Sequence, residues 1–131
     1  MLDAGEGNDL VSAGSGNDSL LGAGGADLLI AGYGRDLVRG GNGHDLIIAN
    51  STTNSSSSTA GDANDVALMA LLDSWKATHA AGLASGVVAT DDGAVDVLRG
   101  SKGNDDFYAS LSDSLIDFNS PLNGKDRRFR Q

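Results

Sequence analysis

Residues 4–48 read AGEGNDLVS (4–12), AGSGNDSLL (13–21), GAGGADLLI (22–30), AGYGRDLVR (31–39) and GGNGHDLII (40–48), five nine-residue units without a gap. Each opens on a small residue, has Gly at its fourth place and Asp at its sixth, and carries Val, Leu or Ile at its eighth. The first four places are mostly Gly and Ala, which permit tight turns and close backbone approach. The last three are rich in Leu, Val and Ile and read as a very short strand. Side chains alternate along a strand, so Val11, Leu20, Leu29, Val38 and Ile47 at the eighth place all point to one side, and places seven and nine to the other. A three-residue strand has no stability alone; units this short bury their apolar residue by stacking into a solenoid.

The sixth-place residues Asp9, Asp18, Asp27, Asp36 and Asp45 fall in register in such a stack and repel one another. Gly-rich turns expose carbonyls, and carbonyls with carboxylates are the hard oxygen ligands of Ca²⁺. The units resemble the repeats-in-toxin (RTX) nonapeptide G-G-x-G-x-D-x-U-x, a Ca²⁺-binding parallel β-helix repeat. The resemblance covers 4–48 and departs mainly at Ala4, Ala13, Ala23 and Ala31. It implies an all-β, right-handed parallel β-roll with two units per turn and several Ca²⁺ ions between stacked loops. It also implies a secreted or cell-surface bacterial protein exported by a one-step route from an uncleaved C-terminal signal. The end of this chain, with Lys125, Arg127, Arg128 and Arg130, is basic and unlike such a signal, so the sequence reads as a fragment or a departure from the family.

Composition agrees with a metal-dependent fold. The 131 residues carry a formal charge of −9, 19 glycines and no cysteine, which disfavours nucleic acid as a partner and excludes disulfide staples. Residues 1–48 contain seven acids and two bases, a balance of −5 that destabilises the roll without cations. Met1-Leu2-Asp3 runs directly into the first unit without a basic, apolar leader, and no run approaches membrane-spanning length.

Beyond Ile48 the pattern stops. Residues 49–90 read as an insertion: a Ser/Thr-rich loop, then an amphipathic helix over about 64–79 carrying Leu68, Leu71, Leu72 and Trp75 at three- and four-residue spacing. Asp62 or Asn64 suits its start, and Lys76 and His79 its end before Gly82. The outward places of units one, three and five make an apolar patch of Leu10, Leu28, Leu46, Ile30 and Ile48, expected to be covered by this helix or by a partner subunit. The period resumes over 91–118 with DDGAVDVLR (91–99), GSKGNDDFY (100–108) and a final strand within 110–118; residues 119–131 are a tail that closes or leaves the roll.

One edge of the roll is therefore expected to carry Asp9, Asp27, Asp45 and Asp105, and the other Asp18, Asp36 and Asp96, the last in a loop where Ala94 replaces Gly. These carboxylates are the expected metal ligands, with backbone carbonyls of the turn residues Gly5, Gly7, Gly14, Gly16, Gly25, Gly32, Gly34, Gly41, Gly43 and Gly103. Competing chemistries have weaker support. The Gly-rich turns lack the Gly-Lys-Ser/Thr of a phosphate loop and carry Asp where phosphate would be repelled. His44 and His79 have no zinc-site context, and no G-x-S-x-G elbow occurs. The expected function is a calcium-binding structural or adhesive module that folds on binding and is not itself an enzyme. An alternative is a self-assembling filament or surface-layer subunit that associates through the roll ends or the Leu10/Leu28/Leu46 face. An accessory domain of an exported hydrolase ranks below both.

Overall fold

The computed structural model describes residues 1–49, 51–52, 89–117 and 127–130. Twelve strands run along them: β1 (Leu2–Glu6), β2 (Leu10–Ser12), β3 (Ser19–Gly24), β4 (Leu28–Ile30), β5 (Leu37–Asn42), β6 (Leu46–Ile48), β7 (Ser51–Thr52), β8 (Ala89–Thr90), β9 (Val97–Lys102), β10 (Asp106–Ala109), β11 (Ser114–Leu115) and β12 (Arg127–Arg130). The chain alternates between two parallel five-stranded sheets, ordered β1-β3-β5-β9-β11 and β2-β4-β6-β10-β12. Each strand pairs with the one a full turn later, in registers such as Leu20↔Val38 and Leu28↔Leu46. Two nonapeptides thus make one turn of an all-β parallel roll. The expected helix over 64–79, with Trp75, lies outside the described residues.

The eighth-place side chains meet inside. Leu20, Val38 and Leu98 from one sheet and Leu29, Ile47 and Phe107 from the other form a core with Ala31, Ala49 and Ala109, every one at most 1% exposed. Ala31 and Ala49 follow β4 and β6, Ala109 ends β10, and all three share the inward direction, where a larger side chain would crowd the interior. Interior space therefore selects the small first-place residue on that side.

The two outer faces differ. On the second sheet Leu28, Ile30, Leu46 and Ile48 alternate with core residues and point away from them, yet are 0–2% exposed. Of the apolar patch expected from the sequence, these four residues are buried and Leu10 is half-buried. On the first sheet Leu37 is 48% exposed and Arg39 is open to solvent. A covered face needs apolar residues at both outward places of several successive turns, a condition met only by the second sheet.

The stack continues in phase across the interruption. β5 pairs with β9 (Val38↔Leu98) and β6 with β10 (Ile47↔Phe107). At the break, β7 and β8 pair antiparallel, Ser51 with Thr90 and Thr52 with Ala89, so the departing and returning strands lie side by side. The far end is closed by polar groups. Asp117 accepts the amides of Gly100 and Ser101 at 3.1 Å each, and its carboxylate lies 3.9 Å from the Arg99 Nε. Residues 127–130, expected as tail, add β12 to the second sheet, where Arg128 stands in register with the inward Phe107 and its guanidinium donates to the Ser110 carbonyl.

Ala23 and Ser101, at the second place of their units, both have φ of +80°, where a side chain crowds its own backbone. Ala23→Gly is expected to stabilise the calcium-loaded roll by about 1 kcal/mol, despite the looser unfolded chain. Thermal melts check this, and a fall in melting temperature would show that the conformation is unstrained.

Candidate metal centre

Each turn is followed by a loop whose sixth-place Asp begins or precedes the next strand, so the pairing that aligns strands also aligns carboxylates. Along one edge the Asp27 Oδ1 accepts the Asp9 amide at 2.9 Å, Asp45 Oδ1 the Asp27 amide at 3.1 Å, and Asp105 Oδ1 the Asp45 amide at 3.0 Å. Along the other, Asp36 Oδ1 accepts from Asp18 at 2.7 Å and Asp96 Oδ1 from Asp36 at 2.8 Å. The seven aspartates anticipated from the sequence therefore fall in two columns on the anticipated edges. Asp96 is fully buried and in line despite Ala94.

One carboxylate oxygen builds each rung; the other is the chemically unusual atom. The Oδ2 atoms of Asp9, Asp27, Asp36, Asp45 and Asp96 are buried with no hydrogen-bond partner. A buried anionic oxygen without a donor or cation costs several kcal/mol, so a ladder of them marks a place that a cation fits. The backbone makes room for these oxygens. A Cβ on Gly22, Gly40 or Gly100 would overlap Oδ2 of Asp27, Asp45 or Asp105, respectively. Among the described residues no three His, Cys, Asp or Glu side chains converge on one point. The donors available to an ion are thus pairs of stacked carboxylates with loop carbonyls, the hard oxygen set that Ca²⁺ takes.

The sequence left one rung unassigned. Asp113 Oδ1 accepts the Asp96 amide at 3.1 Å, while its Oδ2 accepts the Ser110 amide at 2.8 Å. It extends the second column with both oxygens already satisfied by amides. Its signal was the Asp-x-Leu of Asp113-Ser114-Leu115, the same as Asp96-Val97-Leu98, but 17 residues on instead of 18 and without a Gly-rich turn before it. Asn8 and Asn17 add side-chain rungs, Oδ1 accepting the amides of Ala26 at 2.7 Å and Arg35 at 3.0 Å.

Burial, foremost, raises the pKa of the ladder carboxyls. Asp45 is pushed up to about 8 by burial and then by the charge of Asp105, against the opposing hydrogen bond from the Asp27 amide. Asp96 is raised to about 7, by burial and by the charges of Asp113, Asp36 and Asp92, although the Asp36 amide works the other way. Asp27 and Asp36 move in the same direction, chiefly through burial. A carboxyl whose folded pKa exceeds its unfolded 3.8 adds stability that is complete below 3.8 and lost as pH rises through about 7 for Asp96 and about 8 for Asp45. The cation-free protein is therefore expected to keep more of its strand signal at pH 5 than at pH 8. The opposite order in chelated samples would contradict a buried ladder.

Two stacks of Gly-rich loops presenting paired, cation-seeking carboxylates define the class: a cation-binding parallel β-roll. The family model described as RTX calcium-binding nonapeptide repeat (4 copies) matches residues 1–29, 21–54 and 91–115, more than half of the chain. The chain belongs to this family, whose repeats bind Ca²⁺ and constitute a structural rather than a catalytic unit. Comparisons with curated proteins and with solved structures returned no match. Among the described residues no helix is long and apolar enough to cross a membrane.

Proposed function

We propose that this calcium-binding module folds on binding Ca²⁺ and serves a structural or adhesive role in a secreted bacterial protein. The carrying observation is the ladder of buried Asp oxygens without hydrogen-bond partners. Asp9, Asp18, Asp27, Asp36, Asp45, Asp96 and Asp105 supply carboxylate ligands, and the turn carbonyls complete the shells. Bound Ca²⁺ supplies divalent charge that converts repulsion between turns into cross-links. The chain contributes the register that brings carboxylates together and the glycines that let loops approach. Its organisation is one roll over 1–48 and 91–118, interrupted by 49–90, with 127–130 adding a last strand to the second sheet.

Ligands that form only when turns stack tie metal affinity to folding. Extracellular calcium is high enough to fill such sites even at modest affinity, which supports the secreted setting. Circular dichroism during a calcium titration of the chelated chain tests this reading. A strand signal independent of calcium overturns it.

A further inference from the structure

The sixth loop is built differently from the other loops. In loops one, two, three and five the fourth-place amide donates to the third-place carbonyl of the next loop on its edge: Gly7 to Gly24 at 2.7 Å, Gly16 to Tyr33 at 2.8 Å, Gly25 to Asn42 at 2.9 Å and Gly43 to Lys102 at 2.7 Å. Gly34 departs from the rule. Its amide donates to the Asp92 Oδ2 at 2.7 Å, and the Asp92 Oδ1 accepts the Ala94 amide at 2.8 Å. A carboxylate side chain thus stands where the rest of the roll uses a neutral carbonyl, at the point where the chain re-enters after residues 49–90. The nonapeptide pattern has Gly, not an acid, at this second place.

The substitution changes local charge. Asp36 and Asp96 are 3% and 0% exposed, consecutive rungs joined by the bond from the Asp36 amide to the Asp96 Oδ1, and the Oδ2 of each is buried without a hydrogen-bond partner. Both feel the negative charge of Asp92. Among the described residues the other loop acid whose charge raises a ladder carboxyl is Glu6, exposed like Asp92, which acts on Asp27. Adjacent Asp91 accepts the amide of Gly93 in its own loop at 2.9 Å, with no bond to the fourth loop among the described residues. Among the described residues no three acidic side chains converge on one point, so Asp92 does not form a three-carboxylate cluster with Asp36 and Asp96.

We propose that Asp92 is a positioning and charge-setting residue that makes the cation site between Asp36 and Asp96 the tightest of the roll. It holds the fourth loop against the re-entering chain and adds a third negative charge to a site with two carboxylates. The inference rests on the calcium reading above and singles out one site within it.

The test is calcium titration of the full chain by calorimetry, at low salt and again near 0.5 M potassium chloride, with Asp92→Asn, Asp92→Glu and Asp91→Asn. Asp92→Asn is expected to weaken the tightest site about tenfold at low salt, the effect of one charge a few ångströms beyond the ligands. The deficit is expected to shrink at high salt, since a through-space charge is screened while a purely structural splint is not. Asp92→Glu should recover most of the affinity, and Asp91→Asn, equal in net charge to Asp92→Asn, should match the parent. If Asp92→Asn fails to fold, Asp92→Glu and the salt dependence of the parent's tightest site still decide. An Asp92→Asn isotherm equal to that of Asp91→Asn, a salt-independent deficit, or a parent whose tightest site is no more salt-sensitive than the others overturns the proposal. A parent that binds no calcium overturns the broader reading instead.

Discussion

Chelating calcium at pH 8 is expected to abolish the strand signal of both sheets, and about 1 mM calcium to restore it. The magnitude follows from the two Asp columns. Neighbouring carboxylates are separated by about one strand spacing, ~4.8 Å. At an effective dielectric of about 20 each fully charged pair costs roughly 3 kcal/mol. Asp9–Asp27, Asp27–Asp45, Asp45–Asp105, Asp18–Asp36 and Asp36–Asp96 are all such pairs. A domain has only about 5–15 kcal/mol of net stability, so a few charged pairs outweigh it. Partial protonation relieves some of the cost, which makes pH 8 the severe condition and pH 5 the mild one. A chelated protein that keeps its strand signal at pH 8 would mean that the buried oxygens are satisfied without metal.

The second large effect belongs to Gly43. Its φ is +139°, and a Cβ there would overlap the Gly25 carbonyl of the loop stacked against it. Gly43→Ala therefore combines backbone strain of about 1–2 kcal/mol with a collision against backbone that cannot rotate aside, a further 1–3 kcal/mol or more. Gly5 separates the two contributions, because at φ +98° a Cβ would meet nothing within 4 Å. Gly5→Ala is expected to cost about 1 kcal/mol, and Gly43→Ala at least 3 kcal/mol together with weaker calcium binding. Denaturant unfolding of calcium-loaded variants checks the contrast. Equal losses would show that the loops have room to separate.

The contrast between these glycines explains what a periodic sequence can and cannot convey. Periodicity reports what every turn shares: the inward direction of Leu20, Leu29, Val38 and Ile47, the two Asp columns, and the resumption that puts Asp105 under Asp45. It is silent where a turn is unique. Asp113 was hidden because its loop is one residue short and has no Gly-rich signature, yet the Ser110 amide and the Asp-x-Leu strand put it in line. In DDGAVDVLR the pair Asp91-Asp92 stands where the repeat has Gly-Gly, and the bond from the Gly34 amide to the Asp92 Oδ2 is a three-dimensional fact that no spacing conveys. The outer patch was legible because Leu28, Ile30, Leu46 and Ile48 are apolar at both outward places, whereas Leu37 shares its row with Ser19 and stays exposed.

The antiparallel pair β7–β8 carries a consequence for how such rolls diversify. Because the two ends of the intervening chain meet within one hydrogen-bonded ribbon, the roll experiences them as a closed loop and keeps its phase from Val38 to Leu98 and from Ile47 to Phe107. Closure entropy rises only logarithmically with length, so doubling the intervening segment costs about 0.6 kcal/mol. The pair works as a socket: the calcium-bearing scaffold is fixed by its repeat, while what is mounted on it can change in size and sequence with little penalty to the turns beneath.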